Sequence, residues 1–243
     1  MNEPFVLFSA AHGAGLLAAA LAVAGLVAFR AALRRPAANR VARYSLAGVL
    51  VASEIALYSW YTIEGTWGLY ALPFQLCTMT LWFSVFALLT RKRTLYEISF
   101  FLGILGALQA LATPYLTESF PDFRYFHFFL AHIAIIAAGV FLTAVDGVRP
   151  TWRSAFRSLL WLNLLAVPAG LANAITGENF MFLARKPSTG SLLDLLAPWP
   201  WYILELEAIA LAMLFGLLGI VKAADKVANR RGMRKQGGMD PVA

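Results

Sequence analysis

An all-α bundle of seven membrane-spanning helices is predicted by three observations: seven apolar runs of spanning length, no Lys or Arg inside any of them, and basic residues segregated into alternate gaps. The runs are Ser9 to Phe29, Tyr44 to Ile63, Pro73 to Thr90, Leu95 to Thr113, Tyr125 to Val145, Leu159 to Ile175 and Tyr202 to Val221. Each holds 17 to 21 residues. At about 1.5 Å per residue such a run crosses a hydrocarbon layer of roughly 30 Å. Unpaired backbone amides are too costly in lipid, so runs of this length are expected to be helical.

The gaps set the orientation. Five basic residues follow the first run (Arg30 to Arg43), three follow the third (Arg91 to Arg93), three follow the fifth and six lie beyond the seventh. The other gaps hold only Arg124, Arg185 and Lys186. The positive-inside rule therefore predicts a multi-pass protein of the cell membrane with its N-terminus outside and its C-terminus cytoplasmic. Trp60, Trp67, Trp199 and Trp201 fall at the outer ends of runs, where interfacial aromatics belong.

Composition agrees with this class. An apolar content of 60% with 14% charge is that of a membrane bundle rather than a soluble domain. The net charge of +7 occupies orienting loops and lacks interleaved stacking aromatics, so no nucleic-acid partner is expected. Membrane phospholipids are the expected partners. One transmembrane domain over residues 1–221 and a basic cytoplasmic tail over 222–243 are expected, the tail serving as a solvated orientation signal that can reach anionic head groups. Met1 to Phe5 carries Glu3 and no basic n-region, which predicts a retained first span rather than a cleaved signal. A single cysteine, Cys77, rules out an intramolecular disulfide and a Cys-x-x-Cys zinc site. The stretch from Thr176 to Trp201 contains Gly177, Pro187, Gly190, Pro198 and Pro200, predicting an ordered loop or lid on the outer side.

Polar side chains within spans are expensive, so each is a candidate for function or for bonding between helices. Counting from the outer ends at Pro73 and Tyr125, Cys77 lies roughly 6 Å and His132 roughly 11 Å deep. Asn173, Glu205 and His12 also fall in the outer half, and Glu54 lies near the middle. A thiol beside an imidazole suits nucleophilic acyl transfer, because the imidazole takes the proton and the thiolate attacks. The competing reading makes Cys77 a small packing residue and His132 a donor to a carbonyl on another helix. His127 lies five positions before His132, about 140° round the helix, so the two are expected to face apart, with His127 near the interface. Glu205 and Glu207 point about 200° apart, and Glu205, nearer the surface, is the better candidate for the pocket.

Four strings resemble a known family: Leu72-Pro73-Phe74-Gln75-Leu76-Cys77, His127-Phe128-Phe129-Leu130-Ala131-His132, Asn179-Phe180-Met181-Phe182-Leu183-Ala184-Arg185-Lys186-Pro187, and Ser191 to Tyr202. The chain, over roughly residues 10 to 221, is similar to the YwaF-type bacterial membrane proteins, which are grouped with an animal transmembrane acyltransferase of ether phospholipids. That resemblance implies a bacterial cytoplasmic membrane, a cysteine acyl carrier at Cys77 and a histidine partner at His132. A more distant resemblance, to androgen-induced membrane threonine hydrolases, leaves Thr78 open as the nucleophile.

Three functions compete. The first is an acyltransferase or lipid esterase in which Cys77 attacks a fatty-acyl ester, His132 moves the proton and Gln75 or Asn173 steadies the oxyanion, with Thr78, Glu54 and Glu205 in support. It needs no cofactor and no metal. The second is a metal-dependent lipid hydrolase using His12, His127 and His132, which the five-residue spacing disfavours. The third is a transporter or small-ligand receptor bounded by Glu54, Asn163, Asn173 and Glu205, although only Pro168 interrupts a run centrally. A retinal Schiff base is excluded, since no span contains Lys.

Overall fold

The computed structural model describes residues 4–188 and 190–237, so the last residues of the expected tail lie outside it. Its seven long apolar helices correspond one to one with the seven runs. They are α1 (Ala10–Ala28), α2 (Pro36–Ile63), α3 (Leu76–Thr90), α4 (Arg93–Ala112), α5 (Phe123–Val145), α6 (Trp152–Thr176) and α7 (Tyr202–Gly237). The chain is an all-α seven-helix membrane bundle.

Local chemistry sets the ends. Ser9 caps α1 by accepting from the His12 N–H, and Asp122 caps α5 by accepting from the Arg124 N–H. Thr151 and Ser154 form a reciprocal capping box on α6. Gly177, at φ +74°, closes α6 in the left-handed conformation that glycine adopts without a Cβ clash. Three features exceed the apolar runs. Helix α2 starts at Pro36, eight residues before the run, because proline suits a first turn and the intervening arginines face out of the apolar layer. Helix α7 continues past Val221 to Gly237, making the first part of the tail helical. Within α4 and α5 the segments Ser99–Gly103 and Phe141–Val145 are π-helical. Helix α6 runs unbroken past Pro168.

Helix α5 is the axis of the bundle and packs against α1, α2, α3 and α4. Its small residues Ala131, Ala134, Ala137, Ala138 and Gly139 let neighbours approach, as close helix contacts in lipid require. A Cβ on Gly139 would stand 2.8 Å from two Ile104 side-chain carbons. Burial follows this plan: 67% of the apolar window of α5 and 61% of that of α4 are buried, against 17% for α6 and 11% for α7. Helices α6 and α7 pair with each other through Phe215, which packs on Trp152 and Phe156.

One end of the bundle gathers the arginine-rich gaps. Glu97, 2% exposed at its side chain, takes Arg157 through both carboxylate oxygens (2.9 and 2.6 Å) and Arg93 at 3.2 Å. Asn39 of α2 donates to Asp146 (2.7 Å) and accepts from Arg91 (2.6 Å). Arg34 donates to the carbonyls of Ala144 and Val145, and Arg149 pairs with Asp225 of α7 at 2.9 Å. This basic end is latched by charge; the aromatic end, carrying Trp60, Trp67, Trp199 and Trp201, is built differently.

Candidate functional site

The loop between α6 and α7 is an ordered lid held by side chains that clamp its backbone. Asn173, 7% exposed, donates to the Phe180 carbonyl (3.0 Å) and accepts from the Phe180 N–H (2.6 Å). Gln75, at the cap of α3, accepts from the Met181 N–H through Oε1 (3.0 Å). Glu205 accepts from the Ala197 N–H (2.8 Å), Lys186 donates to the Leu196 carbonyl (2.6 Å) and the Tyr202 hydroxyl donates to the Phe182 carbonyl. Three expected supporting residues, Gln75, Asn173 and Glu205, are thus placed as lid holders. Glu207 turns the other way, to Asn163 of α6. Beside the lid, Leu183, Trp199, Pro200, Trp201, Ile203 and Leu204 line an open, almost wholly apolar groove of about 400 Å³.

Cys77 and His132 stand at one depth in the bundle. A Cβ at Gly103 would stand 3.2 Å from Ile135, 3.7 Å from Ser84 and 3.8 Å from Thr80, which sets Thr80 of α3 level with Ile135 of α5. Cys77 and His132 each stand three residues before those positions on helices running in the same direction. Both therefore lie about 4.5 Å nearer the aromatic end, at matched depth. Each is half-buried, packed among helices with part of its surface open, as is the neighbouring Thr78.

The proton on His132 can be located. Its Nδ1 lies 2.7 Å from the Phe128 carbonyl oxygen. A carbonyl only accepts, so Nδ1 carries the hydrogen and, in the neutral ring, Nε2 keeps a lone pair. The bond runs within α5, to the residue four before, rather than across to another helix.

The other histidines are arranged apart. His12 is fully buried with both ring nitrogens engaged: Nδ1 accepts from the Phe8 N–H (3.0 Å) and Nε2 donates to the Leu111 carbonyl (2.8 Å). Among the described residues no three His, Cys, Asp or Glu side chains gather as metal ligands. His127 stacks on Phe123 at 5.8 Å and lies against the Ser53 main chain. Sequence reasoning set His127 aside because five residues turn a helix by about 140°. In the structure α5 is enclosed on several sides, so the face that carries His127 meets α2. Glu54 is 4% exposed, and its Oε1 has no hydrogen-bond partner.

Residues 7–218 match the TMEM164 family. The chain belongs to the TMEM164 family. The matched stretch contains Cys77, His132, Glu54 and the lid, so the whole candidate site lies inside the family region of this membrane protein. No curated protein and no solved structure matches the chain.

Proposed function

We propose that this TMEM164-family chain is an acyltransferase or lipid esterase of the cell membrane that works through a thioester on Cys77. The observation that carries the reading is the His132 tautomer: a ring anchored at Nδ1 by its own helix keeps Nε2 as a base at the depth of Cys77. In this reading Nε2 takes the thiol proton as sulfur attacks the ester carbonyl, then gives it to the departing alcohol. Gln75, held through its oxygen by Met181, presents its amide nitrogen to the developing oxyanion two residues from the sulfur.

The motif likeness to YwaF-type bacterial proteins and to the animal ether-phospholipid acyltransferase supports the same assignment. So does the apolar groove beside the lid, which suits an acyl chain arriving sideways from the outer leaflet. The test is incubation of purified protein with a phospholipid carrying a labelled acyl chain, followed by mass spectrometry of the intact chain. The reading expects label on Cys77 that hydroxylamine removes. Equal lipid turnover by Cys77→Ala would overturn it.

A further inference from the structure

Two buried polar atoms on α2 and α5 have no partner: Oε1 of Glu54 and Nε2 of His127. Both belong to the contact between α2 and α5. The His127 ring lies against the Ser53 main chain, and Glu54 is the next residue along α2. Their depths agree. Trp60 stacks on Phe123 at 5.9 Å and sets α2 and α5 level there. Glu54 is six residues below Trp60, about 9 Å, while His127 and His132 are four and nine residues below Phe123, about 6 and 13.5 Å. Glu54 therefore sits between the two histidines, toward the aromatic end from His132.

A buried carboxyl oxygen and a buried ring nitrogen without partners each cost the protein stability unless something fills the place. Neither serves the fold: the lid is held by Gln75, Asn173 and Glu205, and the basic end by its arginines. The chemistry that satisfies both an open carboxyl oxygen and an open imidazole nitrogen is a hydroxyl group, which donates to one and accepts from or donates to the other according to their protonation.

We propose that Glu54 and His127 form the subsite for the hydroxyl group that accepts the acyl chain. The inference rests on the thioester reading above and divides the labour within it, with acylation at Cys77 and His132 and capture of the acceptor at Glu54 and His127. In the second half-reaction the hydroxyl oxygen attacks the thioester carbonyl, a C–O bond forms and the C–S bond breaks. Nε2 of His132 takes the hydroxyl proton as the oxygen attacks and gives it to the departing sulfur, which returns as the thiol. The acyl group leaves as an acid if the hydroxyl is water and as an ester if it is a lipid alcohol.

Rapid-quench measurement of Glu54→Gln and His127→Gln against the wild type, with the labelled phospholipid as probe, decides this. The expected result is a thioester that forms at the wild-type rate and amplitude but decays about 100-fold more slowly, so that it accumulates. One arm in 18O-water reads label in free fatty acid, and a second with added lysophospholipid reads labelled diacyl product; the arm that slows identifies the hydroxyl source. Wild-type thioester with unchanged decay in both variants overturns the subsite and leaves the nucleophile standing. A wild type that forms no thioester overturns both. A variant that keeps its helical circular dichroism but fails to acylate also overturns the subsite, because capture of an acceptor is not needed for acylation. If one variant loses its helix content, the other carries the decision.

Discussion

The helices α2 to α5 and the periphery made of α6, α7 and the lid are held together by different physics. In the first group large side chains such as Tyr96, Phe100, Phe101 and Phe141 are 0–2% exposed and interlock with alanine and glycine of the facing helix. The periphery presents most of its surface outward; a few apolar residues such as Ala155, Leu214 and Leu218 join it to the core, and polar contacts add to these: Arg157 to Glu97 and Arg149 to Asp225 at one end, and side-chain clamps on loop backbone at the other. Cys77 and His132 lie on helices of the interlocked group, and the apolar groove belongs to the periphery. In the proposed reaction, fixed geometry comes from the densely packed helices and access from the outward-facing periphery.

That contrast yields four measurements, taken from the largest expected effect downward. His132→Gln keeps the helix, since the bond removed is local to α5, yet takes away the free ring nitrogen. Thioester formation is expected to fall by about 10²- to 10⁴-fold with unchanged thermal stability in detergent. A loss of stability as large as the loss of rate would instead make His132 a packing residue.

Asn173→Ala strands the buried N–H and carbonyl of Phe180, at about 1–3 kcal/mol for each group. The expected readout is early proteolytic cleavage within the lid, at an enzyme dose that leaves α2 to α5 intact. Cleavage spread through the whole bundle would mean that the periphery and the interior unfold as one. Gly139→Val forces side-chain carbon against Ile104 and the Phe100 backbone, and overpacking of this kind costs about 1–3 kcal/mol. It is expected to lower the melting temperature of the whole bundle and to leave lid cleavage at the wild-type rate. Smallest is Gln75→Glu, which keeps the oxygen that accepts from Met181 but removes the amide donor. Lid protection is expected to persist while acylation slows by about 10²-fold or more, and unchanged acylation would remove Gln75 from oxyanion stabilisation.

Much of the architecture was legible before any coordinates. Run length, the absence of Lys and Arg and the alternating basic gaps identify seven spans and the shared arginine-rich end. The lid was legible too, from its glycines and prolines. The partners of its polar residues were not: Asn173, Gln75 and Glu205 bind backbone groups 7, 106 and 8 positions away, and a main-chain N–H carries no residue identity to search for. The surroundings of His127 were hidden for a related reason, since an angle on a helical wheel says which way a side chain points and not how many neighbours surround the helix.

Order along the chain thus decided which segments cross the membrane and which end of the bundle carries the charge. Those properties depend on transfer free energies summed over consecutive residues, and a sum along the chain can be read from the chain. Which polar atoms are satisfied and which are left open was decided only when α2, α3 and α5 packed together. The empty positions on Glu54 and His127 and the clamp of Gln75 on the lid are properties of distances of a few ångströms between residues remote in sequence, and only the assembled bundle sets those distances.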